Sequence, residues 1–197
     1  NTPSVVKWYK ISQSSSLKTP KVLKVVANTI SLEYIDNNTS LDYEVVTRQL
    51  ENNSNYSHHK IPDFVTYIDR VKSHGLDNKY LSAMDIYSNF FNMNKSFCHG
   101  DASLDNILCR DKIIYYIDPI YLSDVYSSWL LDTSKFLTSL KRCGMMDTYN
   151  MIIKKYDSIK CELQVLEMSH WIRMYKYHTS KEYVMKQIEN IYELIRN

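Results

Sequence analysis

The feature that most constrains the fold of this chain is the spacing of polar residues between Phe97 and Pro119. This segment reads FCHGDASLDNILCRDKIIYYIDP. Asp101 is followed five residues later by Asn106, and Asp118 comes after two short apolar runs that are rich in strand-forming residues. A loop followed by a β-hairpin would bring these three side chains around one point. The segment therefore predicts a compact cluster of oxygen-bearing groups.

Such a cluster matches the needs of phosphoryl transfer. That chemistry uses a carboxylate to orient the attacking hydroxyl, and an amide oxygen with a second carboxylate to hold the magnesium ions that bridge the phosphates. We assign Asp101 as the base, and Asn106 and Asp118 as the metal ligands. A simpler alternative makes HGD an ordinary turn, with Gly100 supplying the backbone conformation and His99 a buried, hydrogen-bonded histidine. The conjunction of all the motifs favours phosphoryl transfer.

The motifs HGDASLDNIL and YIDP resemble the HGDxxxxNIL and IDxx signatures of the aminoglycoside phosphotransferase and choline kinase family. That family has the protein kinase-like fold. The resemblance implies ATP and Mg²⁺ as cofactors and a small-molecule acceptor such as a sugar, an aminoglycoside or an amino alcohol. It also implies that Asp132, in the stretch WLLD, braces the catalytic loop, which His99 helps to shape. The stretch DTSKFLTSL is similar to kinase-like proteins of bacterial surface polysaccharide synthesis, which favours a sugar.

The order of the predicted elements indicates an α+β protein with a protein kinase-like two-lobe fold. Residues 4–11 and 21–35 are rich in β-branched and aromatic residues and predict three short antiparallel strands. We therefore expect residues 1–36 to form a reduced or incomplete β-rich N-lobe and hinge, and residues 37–197 to form a large helical C-lobe. Helices are predicted near 40–52, 61–73, 77–93, 125–143, 145–157, 161–177 and 181–196, and short strands at 97–98, 106–109 and 113–117.

The N-terminal part departs from the pattern of protein kinases. The chain has only three glycines, none of them before residue 36, so a glycine-rich phosphate loop is absent there. Two lysines on predicted strands are candidates for the nucleotide-binding lysine, and spacing favours Lys7 over Lys24. We expect Glu33 and Ile35 to lie in a hinge whose backbone groups pair with adenine. Either residues before Asn1 complete this lobe or the lobe is naturally reduced.

Composition narrows the possible partners. Hydrophobic residues make up 44% and charged residues 23% of the chain, which is typical of a globular protein. The net charge is only +2, and the lysines are scattered among acidic residues, so no nucleic-acid partner is expected. The sequence contains no apolar run long enough to span a bilayer. The four cysteines lack metal-binding spacing and are expected to be reduced thiols of a cytoplasmic protein.

The leading hypothesis is thus an ATP- and Mg²⁺-dependent phosphotransferase that acts on a hydroxyl of a small molecule. Its acceptor pocket is expected among the helices, near aromatic residues such as Trp171, Tyr175 and Tyr177. The alternative is a catalytically inactive pseudokinase or a nucleotide-dependent binding module of the same fold. A protein kinase is disfavoured because HGD and IDP differ from HRD and DFG. The acceptor and the oligomeric state are not encoded in any local motif.

Overall fold

The computed structural model describes residues 2–13, 15–27, 29–56, 61–120 and 126–196. Within these ranges helices dominate, and the strands form two separate two-stranded antiparallel sheets. The helices are α1 (Thr2–Ser12), α2 (Tyr43–Asn52), α3 (Phe64–Lys72), α4 (Asn78–Asp85), α5 (Ser88–Met93), α6 (Trp129–Arg142), α7 (Met146–Lys155), α8 (Lys160–Tyr175) and α9 (Lys181–Arg196). The strands are β1 (Val22–Val26), β2 (Thr29–Leu32), β3 (Ile107–Arg110) and β4 (Ile113–Tyr116). Short 3₁₀ helices cover Asn53–Asn55, Leu104–Asn106 and Asp157–Ile159.

The helices after residue 40 confirm the α-rich part of the prediction. Asp42 caps α2, because its carboxylate accepts hydrogen bonds from two backbone N–H groups of the first turn. Ser128 caps α6 through its hydroxyl, which accepts a hydrogen bond from the Leu130 N–H. The apolar stripe of α9, which includes Val184 and Ile188, is buried against the core. Local caps and helical periodicity therefore suffice to define these elements.

The first helix corrects the prediction of a strand over residues 4–11. These residues form α1, which buries Trp8 and Tyr9. The Trp8 ring stacks on Phe97 with centroids 5.5 Å apart, and its indole N–H donates a 2.9 Å hydrogen bond to the Cys98 carbonyl. Burial of two large aromatic side chains outweighs the weak strand preference of the local sequence. Lys7 consequently lies on a helix and not on a strand.

The remaining corrections concern residues 21–35 and 77–98. Within residues 21–35, β1 and β2 pair as a largely exposed hairpin, so the β region contains one hairpin and no third strand among the described residues. The helix predicted at 77–93 is broken into α4 and α5, where the Ser88 hydroxyl donates to the Asp85 carboxylate. Residues 97–98 are not a strand. The division into two lobes stays a prediction.

The hairpin predicted after the polar loop is confirmed. Strands β3 and β4 pair in register from Ile107 opposite Tyr116 to Arg110 opposite Ile113. Their two-residue turn, Asp111 and Lys112, has positive φ at both positions, as tight hairpins require. The segment that precedes α2 is attached to this hairpin, because the backbone N–H groups of residues 38 and 39 donate to the Cys109 carbonyl over 3.1 and 3.2 Å. The hairpin thus joins the predicted hinge to the polar loop.

Membrane-spanning helices and disulfide bonds are both absent from the part of the chain that the structure describes. None of its helices is both long and apolar enough to cross a membrane. All four cysteines are free thiols, with Cys98 and Cys109 buried and Cys143 and Cys161 exposed.

The anchoring of α1 can be tested through Trp8, which is 1% exposed. Replacing Trp8 by Ala should lower the free energy of unfolding by about 3–5 kcal/mol, because it empties a core site. Replacing the exposed Lys10 on the same helix by Ala should change it by less than about 0.5 kcal/mol. Urea denaturation measures both changes. Equal effects of the two substitutions would show that α1 does not pack on the core.

Candidate active site

The polar loop is held by a buried carboxylate on α6. Asp132, in the first turn of α6, is fully buried and accepts hydrogen bonds from the backbone N–H groups of His99 (2.6 Å) and Gly100 (2.8 Å). Burial raises the pKa of Asp132 from its usual 3.8 to about 7, although these two hydrogen bonds act in the opposite direction. The negative charge of Asp101 adds to the increase. The residue predicted to brace the loop therefore does contact it.

Gly100 allows a close approach of two backbone segments. Its φ is +84°, and a Cβ atom built there would lie 2.3 Å from the carbonyl oxygen of Ile120. The backbone N–H of Ile120 in turn donates to the His99 carbonyl over 3.0 Å. A side chain at position 100 would push these segments apart, so this position requires glycine on two independent grounds.

His99 serves the shape of the loop. It is buried, with its ring edge-on to Trp8 at a centroid distance of 5.2 Å. Burial lowers the pKa of His99 from 6.5 to about 4, so the imidazole is neutral at pH 7. Its Nδ1 accepts a 3.3 Å hydrogen bond from the backbone N–H of Asp101. A neutral, hydrogen-bonded ring is suited to positioning Asp101 and not to carrying charge.

The Asp101 carboxylate is held at both oxygen atoms. One oxygen accepts a 3.0 Å hydrogen bond from the Asn106 side-chain amide, and the other forms a 3.0 Å ion pair with Lys135 of α6. The side chain remains 27% exposed. A carboxylate that is oriented in this way and still accessible can accept a proton from a bound hydroxyl.

Asn106 keeps one coordinating atom available. Its amide nitrogen donates to the Asp101 carboxylate and to the Asp101 backbone carbonyl, the latter over 2.9 Å. Its side-chain oxygen forms no hydrogen bond with another described residue. Amide oxygens are suitable ligands for Mg²⁺. The geometry is thus compatible with the predicted metal-binding role of Asn106.

Asp118 lies two residues beyond the end of β4, the second strand of the β3–β4 hairpin. The Ile117 N–H donates a 3.0 Å hydrogen bond to the Asn106 backbone carbonyl. Because Asp118 is the next residue after Ile117, its backbone lies near that of Asn106. Asp118 is exposed and has a positive φ of 51°. Burial, together with the charge of Asp118, raises the pKa of Tyr9 to about 12. Because the described residues contain no group of three or more His, Cys, Asp or Glu side chains able to hold a metal ion, coordination would depend on Asp118 and Asn106 together with water.

A cavity of about 530 Å³ opens beside Asp101, between α3, α6 and α8. Of the aromatic residues expected at an acceptor pocket, Tyr177 lines it, Trp171 is buried, and Tyr175 is not part of its lining. Most of the lining side chains are basic or imidazole groups. The lining residues are Arg70, His74, Asp101, Ile120, Lys135, His170, Arg173, Met174, Tyr177 and His178.

Sequence reasoning missed Lys135, although a signal for it exists. Lys135 lies three residues after Asp132, and Ser139 four residues after Lys135, so all three occupy one face of α6. The Ser139 hydroxyl accepts a 3.1 Å hydrogen bond from the Leu104 N–H of the polar loop. That face of α6 therefore contacts the loop at three points. The basic residues of α3 and α8 had no such signal, because no local pattern indicates that they face Asp101.

The predicted hinge residues differ in what they can offer to a ligand. The Glu33 carboxylate forms a 3.1 Å ion pair with Arg110, and this hydrogen-bonded contact lowers the pKa of Glu33. The Glu33 N–H donates to the Lys21 carbonyl over 2.8 Å. Ile35 is buried, and its backbone N–H and carbonyl form no hydrogen bond with another described residue. Lys7, on the exposed side of α1, is not on the strand that its predicted role assumed.

Comparison with known proteins finds a solved structure with a similar fold. No family model matches the sequence, and no curated protein matches it. A crystal structure from Thermobifida fusca, described as a "putative fructosamine-3-kinase", aligns with 98% of this chain and 78% of its own chain, with a TM-score of 0.59 and 12% sequence identity. At this identity the likeness concerns the fold alone. The chain has a helix-dominated α+β fold like that of a protein kinase-like neighbour.

The tight approach at Gly100 gives a first test of the site. Replacing Gly100 by Ala should destabilise the protein by more than the roughly 1–2 kcal/mol that a positive φ alone costs, because the new methyl group meets the Ile120 carbonyl. Gly75 is a matched control, since its φ is +79° and a Cβ there meets no atom within 4 Å. Urea denaturation compares the two variants. Equal losses would show that the loop and Ile120 are not in contact.

The raised pKa of Asp132 gives a second test. Between about pH 4 and pH 7 the folded protein retains a proton on Asp132 that the unfolded chain releases, so the contribution of Asp132 to stability falls as pH rises. The free energy of unfolding of the natural protein, minus that of Asp132→Asn, should therefore decrease by more than about 1 kcal/mol across this range. Urea denaturation at several pH values measures it. A constant difference would contradict the raised pKa.

Proposed function

We propose that this protein is a phosphotransferase that transfers the terminal phosphoryl group of ATP to a hydroxyl of a small molecule. The observation that carries the proposal is the Asp101 carboxylate, which Asn106 and Lys135 orient and which is accessible from a cavity of metabolite size. The fold likeness to a protein described as a fructosamine-3-kinase supports a small-molecule kinase at the level of architecture.

In this proposal Asp101 is the general base. An acceptor hydroxyl bound in the cavity donates its proton to the Asp101 carboxylate as its oxygen attacks the terminal phosphorus of ATP. The new O–P bond forms while the bond to the bridging oxygen breaks, and ADP leaves with that electron pair. The ion pair with Lys135 keeps the carboxylate pointing toward the acceptor. The neutral His99 and the buried Asp132 hold the loop in place during this step.

The side-chain oxygen of Asn106 and the carboxylate of Asp118 would hold Mg²⁺. When bound, the ion neutralises charge on the ATP phosphates. Asn106 is suited to this role because its amide nitrogen is already engaged with Asp101, which leaves the oxygen free to coordinate. The hydrogen bond from Ile117 to the Asn106 carbonyl keeps the two ligands at the same end of the hairpin.

The nucleotide base would bind at the hinge, where residues 33–35 precede the segment attached to β3. The Glu33 carbonyl and the Ile35 N–H form no hydrogen bond with another described residue, and they can pair with the amino group and a ring nitrogen of adenine. The Glu33 N–H and carboxylate are already engaged within the protein. Any contribution of Lys7 would come from α1.

A nucleotide-dependent binding module is the second candidate. The observation that favours it is the placement of Lys7 on a helix, together with the lack of any glycine before residue 36. Both features remove groups that kinases use to hold the phosphates. This candidate predicts nucleotide binding without turnover.

Two matched substitutions in one loop test the catalytic role. Asp101→Asn should lower the rate of phosphoryl transfer by about 10²–10⁴-fold, because it removes the general base. Asp105→Asn should leave the rate nearly unchanged, since Asp105 is exposed and its ion pair among the described residues is with Arg142 at the surface. The measurement follows product formation by mass spectrometry with ATP, Mg²⁺ and a panel of hydroxylated metabolites.

The outcomes separate the two candidates. Transfer by the natural protein that is lost in Asp101→Asn and kept in Asp105→Asn supports the phosphotransferase. Nucleotide binding without transfer to any acceptor supports the binding module. A protein that binds no nucleotide under any of these conditions contradicts both.

A further inference from the structure

We infer that the acceptor carries a negatively charged group beside its reactive hydroxyl, either a phosphate ester or a carboxylate. The inference rests on the proposed function, because it assigns the cavity next to Asp101 to the acceptor. It narrows the acceptor from small hydroxylated molecules in general to anionic ones. The inference is based on the basic side chains of the cavity wall.

The cavity wall has an excess of positive charge. Arg70 of α3, Lys135 of α6 and Arg173 of α8 are cationic, and the only carboxylate that the described residues contribute to the wall is that of Asp101. Lys135 is already paired with Asp101 at 3.0 Å. Two guanidinium groups from two different helices therefore remain without compensation on the wall.

These two guanidinium groups have no partner within the part of the chain that the structure describes. Neither Arg70 nor Arg173 forms an ion pair or a side-chain hydrogen bond with another described residue. Both are partly buried, and the pKa of Arg70 is lowered by burial and by the charge of Arg173. Holding two like charges together at a partly buried site is unfavourable unless an anion joins them. Guanidinium groups bind phosphate and carboxylate through paired hydrogen bonds.

Two imidazole rings add unsatisfied polar atoms to the same wall. His170 is 1% exposed, and its Nε2 lies 3.0 Å from the Ser134 hydroxyl and 3.2 Å from the Leu131 carbonyl. The Nδ1 atoms of His170 and of His74 are buried and have no hydrogen-bond partner among the described residues. Buried polar atoms without partners are costly. The Nε2–H of His170 donates to the Leu131 carbonyl, so its Nδ1 is an acceptor that a ligand hydroxyl, and not an anionic group, would satisfy.

The basic residues are held on a rigid support. Arg70 lies on α3 and His74 lies two residues beyond the end of that helix, while His170 and Arg173 lie one turn apart on α8. The two helices are joined by a buried 2.9 Å hydrogen bond between the Tyr67 and Ser169 hydroxyls. The cationic wall is thus part of the core packing. Its charge would repel an aminoglycoside or an amino alcohol, which carry positive charge themselves.

Direct binding tests the inference independently of catalysis. Isothermal titration calorimetry of the natural protein compares four probes: glucose 1-phosphate, glucuronate, glucose and kanamycin. At least one of the two anionic probes should bind about tenfold or more tightly than glucose, and kanamycin should bind most weakly. The comparison between the two anionic probes distinguishes a phosphate site from a carboxylate site. Glucose or kanamycin binding as tightly as both anionic probes, or no binding of either anionic probe, overturns the inference.

Substitutions locate the anion on the cavity wall. Arg70→Ala and Arg173→Ala should each weaken binding of the anionic probe by about tenfold to a hundredfold, because each removes charged hydrogen bonds. Arg48→Ala is the matched control, since Arg48 is an exposed arginine of α2 outside this cavity. This variant should bind the anionic probe as tightly as the natural protein does. Circular dichroism checks that every variant is folded. Unchanged affinity in both folded cavity variants overturns the inference.

Binding of a nucleotide analogue shows whether Arg70 and Arg173 contact the acceptor or the phosphates of the donor. The affinity for a non-hydrolysable ATP analogue should not change in Arg70→Ala or Arg173→Ala. If these variants lose the analogue and keep the anionic probe, the cations bind the donor phosphates and the inference is wrong. Anion binding without transfer contradicts the proposed function alone. Transfer to neutral or cationic acceptors only would keep the proposed function and overturn the inference.

Discussion

The contact between the Asp132 carboxylate and the backbone N–H groups of His99 and Gly100 is the interaction on which the site depends. It places a buried acceptor on the first turn of α6 under two consecutive donors of the polar loop. Burial of a carboxylate is unfavourable, and the raised pKa of Asp132 expresses that cost. The hydrogen bonds offset part of it. Because of these hydrogen bonds, the loop that carries Asp101 has one defined position relative to α6.

Helix α6 continues this support along one face. Lys135 pairs with the Asp101 carboxylate and Ser139 accepts a hydrogen bond from Leu104, so successive turns of the helix contact successive parts of the loop. On the other side the β3–β4 hairpin brings Asp118 toward Asn106. The proposed base and the proposed metal ligands are therefore held between a rigid helix and a short hairpin. Such a support is what a reaction that relies on positioning and charge requires.

The cavity next to Asp101 combines this chemistry with a choice of acceptor. Its wall includes parts of α3 and α8, whose packing positions Arg70 and Arg173 without ion-pair partners in the described chain. Uncompensated charge inside a partly buried cavity is costly for the free protein. The proposed phosphotransfer and the inferred anionic acceptor would explain why that cost is tolerated, because the bound ligand would supply the missing charge.

The sequence by itself determined the local elements of this protein. The hairpin after Asn106 and the long helices α6 and α9 were predicted from strand-forming runs and helical periodicity, because each depends on residues close together along the chain. It also indicated that Asp101, Asn106, Asp118 and Asp132 belong to one site, since their spacing matches a known signature.

Only the tertiary structure decided how distant segments meet. It turned residues 4–11 into a helix, because Trp8 packs against Phe97 and Cys98, some ninety positions away, and Tyr9 is buried beside Trp8. It brought Arg70 and Arg173 to the same cavity as Asp101 through the packing of α3 on α8. Neither result is encoded in a local pattern, because burial and charge depend on which faces the whole chain brings together.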